Sequence, residues 1–172
     1  EQSKKQTDTE PFKKWFGASK VVNEKGEPLV VYHGTHFDWS VPGAALHLGT
    51  TPQQAEKRLR QGVAWPTGGG PEIGPAVMPV FANIRNPKRV SEHDEVSAIG
   101  GWQLQIELAK EEGYDGLVYE NLAEGPGDSY VAFRPEQTKS IFNAKPTSDS
   151  DILKSRAALT SGLTDNRPKQ VE

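Results

Sequence analysis

The sequence predicts an α+β domain built on a mostly antiparallel sheet, and three observations point to that class. Short apolar runs bounded by glycine, proline and asparagine dominate the chain. Only two or three segments place apolar residues at helical spacing. No internal repeat is present. Short strands with a few helices among them make an α+β layer arrangement.

Residues 1–10 (EQSKKQTDTE) are polar and unpatterned, which predicts a disordered segment. Order is expected from Pro11, because Phe12, Trp15 and Phe16 stand at i, i+3 and i+4 on one face of a short helix that Gly17 stops. Lys20, Val21 and Val22 read as extended, residues 23–26 (NEKG) as a turn and residues 29–33 (LVVYH) as the first strand. The two extended stretches would then pair as a hairpin. A second short strand is expected over 44–48. Thr51 next offers an N-cap, Pro52 suits the first helical position, and Gln54 completes a capping box for a helix reaching about Gln61. Residues 62–75 are rich in glycine and proline and predict a long loop, with Trp65 as its anchor.

Residues 76–84 (AVMPVFANI) return to strand character, where Pro79 signals an edge strand or a bulge. The strongest helical pattern is 101–112 (GWQLQIELAKEE): Trp102, Ile106 and Ala109 share a face, Leu104 and Leu108 lie beside them, and Gly113 caps the end. Strands over 115–120 and 129–134 follow, joined by a glycine- and proline-containing link. From Pro146 onward the chain is polar without sustained periodicity. The domain is therefore expected over 11–145, with 1–10 and 146–172 outside it.

Composition narrows the function. The 172 residues suit one domain. The absence of cysteine excludes disulfides, a thiol nucleophile and Cys-based zinc sites. Four histidines (His33, His36, His47, His93) make a poor metal set, and no metal is expected. A net charge of -3 argues against broad binding to nucleic-acid phosphates. No apolar run is long enough to cross a membrane, and the start lacks a basic-then-apolar leader. A reducing cytosol is the expected location.

The sequence Tyr32-His33-Gly34-Thr35 concentrates chemistry at a strand end. It sets an imidazole and a hydroxyl at a sheet edge, and the glycine would let a flat ligand approach the backbone. The N–H and C=O of Gly34 could then read a carboxamide at two points. A strand end followed by a turn with a capping histidine is the plainer reading of the same residues.

Four segments extend the pattern: residues 12–17 (FKKWFG) with 19–22 (SKVV), residues 26–35 (GEPLVVYHGT), residues 45–50 (ALHLGT), and residues 113–116 (GYDG) through 130–140 (YVAFRPEQTKS). In order and spacing they resemble the ADP-ribosyltransferase domains of the diphtheria-toxin and poly(ADP-ribose)-polymerase type. The likeness is closer to those of phage polyvalent and bacterial polymorphic-toxin proteins, and it covers roughly residues 12–145. The resemblance implies two small sheets around a cleft that binds NAD as substrate. In keeping with this, no Gly-x-Gly-x-x-Gly follows a strand, and Gly68-Gly69-Gly70 has no strand leading into it.

The resemblance also assigns roles. His33 would bond the adenine-side ribose and Gly34 the nicotinamide amide, with Tyr32 and Thr35 flanking them. His47 stands where the family usually offers a tyrosine that stacks on nicotinamide. Ser129 stands where polymerase-type enzymes carry the glutamate that grips the ribose 2′-OH and stabilises the developing oxocarbenium charge. The carboxylate is therefore expected from Glu124 first and Asp128 second, since strand alternation turns Asp128 away from the side that Ser129 faces. Glu136-Gln137 reads as a fold signature, and Lys57, Arg58 and Arg60 as a solvated helix face. The implied activity is transfer of ADP-ribose to a macromolecular acceptor, protein rather than nucleic acid given the acidic balance. Such a module would act as a phage or bacterial effector or toxin, with a target or immunity protein as partner. The alternatives are an NAD glycohydrolase, an inactive NAD-binding module, or a structural domain of a polyprotein.

Overall fold

The computed structural model of the protein describes residues 6–37, 45–60, 72–91, 101–143 and 145–146, with backbone alone at 36, 37, 72 and 73. Its elements run α1 (Glu10–Phe16), β1 (Val31–Phe37), β2 (Leu46–Gly49), α2 (Pro52–Arg60), β3 (Glu72–Ala82) and β4 (Pro87–Arg89). They continue with α3 (Gly101–Glu111), β5 (Gly116–Glu120), β6 (Asp128–Ala132), a 3-10 turn (Pro135–Gln137) and β7 (Thr138–Ser140). The class is α+β. Strand pairing is antiparallel throughout except between β4 and β5.

The expectation of two small sheets needs correction, because hydrogen bonding runs through a single seven-stranded sheet of order β4-β5-β6-β2-β1-β3-β7. Its parts β4-β5-β6-β2 and β1-β3-β7 meet at a narrow waist. Among the described residues the register between β1 and β2 is the single pair Tyr32↔Gly49.

Residues opposite one another in a ladder share a face of the sheet. On one face Leu46, Leu48, Val118, Tyr130 and Ala132 join Val21, Val31, Val80 and Ile84 in the main core. On the other, Leu117, Tyr119, Val131 and Phe133 receive Ile106 and Ala109 from α3, with Trp102 packed beside them. Leu104 and Leu108 turn outward at 37% and 39% exposure, so α3 buries a narrower stripe than its sequence suggests. A third cluster joins Phe12 and Phe16 of α1 to Phe81 of β3.

Several boundaries move for identifiable reasons. The first hairpin shrinks to an isolated bridge, Val22↔Pro28, because proline has no N–H to extend it. β3 begins at Glu72, inside the expected loop. Gly74 there takes φ +84, and the register against β1 shifts between Thr35 and Phe37, forming a bulge. The loop residues 62–71, Trp65 included, lie outside the described residues, as does His93. Pro79 is tolerated because β7 pairs with β3 only from Val80 to Ala82.

The expected disordered start also needs correction for residues 6–10. Thr9 caps α1 by accepting the Phe12 N–H, and buried Gln6 donates Nε2 to the carbonyls of Ser140 and Asn143. Single polar side chains do this ordering, which apolar periodicity does not register. The Glu136-Gln137 signature has a comparable basis. Gln137 is buried, donates Nε2 to the carbonyls of Asn83 (3.0 Å) and Asp115 (2.8 Å), and accepts the Arg134 N–H (2.9 Å). It thereby ties the ends of three segments together. No described helix is long and apolar enough to cross a membrane.

Candidate functional site at the sheet waist

The site forms where the ladder between β1 and β2 stops. In a regular antiparallel ladder the next equivalent pair after Tyr32↔Gly49 is Gly34↔His47. The observed register does not include it. Instead the His47 carbonyl meets a side chain, His33 Nδ1, at 2.9 Å. A carbonyl only accepts, so Nδ1 carries the proton. Across β1 the opposite residue to Tyr32 is Pro79, which has no N–H. The mutual hydrogen bonds to β3 therefore fall on Val31, His33 and Thr35, and alternation turns the N–H and C=O of Gly34 toward β2.

Gly34 has a second consequence, because its missing side chain makes room for α2. A Cβ there would stand 2.5 Å from the Ala55 carbonyl oxygen and 2.6 Å from Leu59 Cγ. That side is filled by α2. Gly49 does the same on β2, where a Cβ would stand 2.8 Å from Gln54 Cβ. The two glycines let α2 sit close to the waist.

From this seat, Gln54 and Arg58, one turn apart, reach the link between β5 and β6. Gln54 Oε1 accepts the N–H groups of Thr50 and Thr51 (2.7 and 3.2 Å), while Thr51 Oγ1 accepts the Gln54 N–H, which is the capping box expected here. Gln54 Nε2 donates onward to the carbonyls of Gly125 and Pro126 (3.0 and 3.1 Å). Arg58 Nη1 donates to Glu124 Oε1 at 2.9 Å, and this ion pair is largely buried, with side-chain exposures of 14% and 6%. Arg58 thus departs from the solvated face expected of it, whereas Arg60 follows that expectation and pairs with Glu56 at the surface.

Asn121 completes the cluster. Its Nδ2 donates to Glu124 Oε2 (2.8 Å) and to Ser129 Oγ (2.9 Å), and its Oδ1 accepts the Glu124 N–H (2.8 Å). One amide therefore spans the carboxylate and the serine. Ser129 is itself buried and pairs with Gly49, which in turn pairs with Tyr32 of β1.

Two buried imidazoles feel the charge of the Arg58 guanidinium. Burial pushes His33 from 6.5 down to about 4; the His47 carbonyl opposes this and Arg58 adds to it. Burial likewise holds His47 well below its ordinary value, with Arg58 and then His33 adding to the effect. Both rings are neutral near pH 7. The His47 ring meets Trp102 edge-on at 5.1 Å, and its Nδ1 is buried without a partner, as is Arg58 Nη2.

The structure therefore joins Ser129 to Glu124 through Asn121 and Glu124 to Arg58, whose charge reaches His33 and His47; on β1, Gly34 lies between His33 and buried Thr35, with half-buried Tyr32 before them. Asp128 is not brought in. It lies opposite Glu120 in the ladder and is held by Arg89 through two hydrogen bonds (2.6 and 3.2 Å) at the surface. Sequence reasoning missed Asn121, the second role of Gln54, and the inward turn of Arg58. The available signals were the spacing of four between Gln54 and Arg58, and the cap-like spacing of three from Asn121 to Glu124. Among the described residues no group of three His, Asp or Glu is arranged to hold a metal ion. No protein-family model, no curated protein and no solved structure matches the chain.

Proposed function

We propose that the protein cleaves the nicotinamide–ribose bond of NAD and transfers ADP-ribose to a macromolecular acceptor. The observation that carries this reading is the buried carboxylate of Glu124, held one asparagine side chain away from Ser129. Ser129 is the position to which the resemblance assigns the acidic group. The Gly34 backbone edge at the β1–β2 waist supports it further, because an N–H and a C=O side by side complement a carboxamide.

In the reaction the bond between C1′ and the nicotinamide nitrogen breaks, and its electron pair neutralises the pyridinium ring. Positive charge develops on the ribose. Glu124 would stabilise that charge and accept the 2′-OH, since each of its oxygens holds one protein donor and retains acceptor capacity. The acceptor's nucleophile then bonds C1′ and releases its proton to solvent. Neutral His33 and His47 add no positive charge near the forming cation. On this reading the fold is a variant of the ADP-ribosyltransferase arrangement, with its two half-sheets joined at the waist. A protein acceptor suits the acidic chain better than a nucleic acid. The NAD pool of a cytosol, the producer's own or a target cell's, is where it would act, and an effector role with a target or immunity protein as partner follows from the same resemblance.

The test is nicotinamide release from NAD, followed with and without protein acceptors and with labelled ADP-ribose. Wild-type protein should release nicotinamide, and Glu124→Gln should lower kcat by about a hundredfold or more while still binding NAD. Release without any labelled acceptor marks a glycohydrolase. NAD binding without release marks a module that keeps the cleft and lacks the chemistry. Neither binding nor release ends the proposal.

A further inference from the structure

We infer that Asn121 is a positioning residue of this reaction, holding the Glu124 carboxylate in its working orientation; the inference rests on the NAD-cleaving reading above. Asn121 is buried, follows the last residue of β5 and opens the link. Its backbone N–H donates to the Gly127 carbonyl at 2.9 Å, closing that link on itself. Three of its side-chain hydrogen bonds go to the proposed site. Oδ1 accepts the backbone N–H of Glu124, and Nδ2 gives one hydrogen to Glu124 Oε2 and the other to Ser129 Oγ. A primary amide has two donor hydrogens, so both are in use.

A single side chain therefore fixes both the backbone and the carboxylate of Glu124. Arg58 takes the other oxygen, so the carboxylate is held from two directions. A carboxylate offers about four lone-pair directions, which leaves room for a substrate hydroxyl. Because Asn121 is neutral, it orients the anion without discharging it.

The competing account is that Asn121 only shapes the local turn by accepting the Glu124 N–H. Asn121→Asp and Asn121→Ser together separate the two. Aspartate keeps the oxygen that accepts the Glu124 N–H, and the Ser129 hydroxyl can reverse to donate to it. The hydrogen once given to Glu124 Oε2, however, is replaced by an oxygen facing an oxygen. Arg58 is the charged group that also faces this point, and it stays with Glu124. A turn-only role predicts that Asn121→Ser, which still accepts the Glu124 N–H and adds no charge, keeps wild-type turnover. A positioning role predicts that kcat falls about ten- to a hundredfold while KM for NAD stays within about threefold. Asn121→Ser is the second variant: its hydroxyl can accept the Glu124 N–H but is too short to hold the carboxylate as well, and it should show the same loss.

The experiment is initial-rate nicotinamide release from NAD by the full chain, paired with thermal melts with and without NAD. Either variant melting like wild type and turning over within about twofold of it overturns the inference while leaving the reaction intact. If Asn121→Asp does not fold, Asn121→Ser decides. Wild-type protein that releases no nicotinamide defeats the reaction and the inference together.

Discussion

Acid should loosen this fold through its two buried imidazoles, His33 and His47. Burial is the main reason that His33 is shifted from 6.5 to about 4 in the folded chain. Unfolding returns the ring to water and to its ordinary value. Between those two values the unfolded state binds more protons than the folded one, so stability is lost as pH falls from about 6.5 toward 4. Worked at about pH 5, such a ring contributes about 2 kcal/mol of destabilisation relative to neutral pH. His47 is shifted the same way, again mainly by burial, and adds in the same direction. For a chain of this size the His33 share alone lowers Tm by about 4–8 °C. Thermal melts of wild type and His33→Gln across that range test it, because glutamine can still donate to the His47 carbonyl but does not titrate. The variant should show a shallower acid slope. A wild-type Tm that stays flat or rises on acidification refutes the reasoning.

Two further outcomes bear on the scaffold. Gln137→Leu leaves the Arg134 N–H and the carbonyls of Asn83 and Asp115 without the partner they have now. It should cost about 2–4 kcal/mol, read from the urea midpoint at unchanged m-value. Gly34→Ala pushes a methyl group into the Ala55 carbonyl and Leu59, so α2 must shift. A loss of about 1–3 kcal/mol is expected in denaturant titrations, and a variant as stable as wild type contradicts the close seating of α2.

Local signals were legible, and long-range ones were not. The α2 start is readable because a capping box is a conversation among four consecutive residues, Thr51 to Gln54. The span of α3 is readable to within a residue because Ile106, Ala109 and Gly113 mark its buried stripe and its end. The joining of two half-sheets at Tyr32↔Gly49 depends on residues far apart in sequence, and no local pattern encodes it. Arg58 misleads for a related reason. It sits in a basic last turn that reads as solvated, and only the docking of α2 on Gly34 and Gly49 carries it inward. Strand alternation did separate Asp128 from Ser129, since a period of two survives in a five-residue strand. Composition and periodicity do not mark Asn121, and its spacing of three from Glu124 is a faint local trace of hydrogen bonds that also reach Ser129.

The serine at 129 and the glutamate at 124 make sense as one arrangement. With no Cβ at Gly34 or Gly49, α2 lies close enough for Gln54 and Arg58 to hold the link, and the held link carries Glu124 over the face from which Ser129 projects. A glutamate at 129 would then share the Asn121 amide with Glu124, two carboxylates beside one neutral amide and the single Arg58 guanidinium that already pairs with Glu124. Like charges in a buried site raise one another's pKa, and one of the pair would tend to take up a proton. A hydroxyl at 129 avoids that conflict while keeping the hydrogen bond. On the proposed reaction, then, the absence of an acid at position 129 follows from where α2 sits: once the helix fixes a carboxylate on the link, that strand position is better filled by a group without charge.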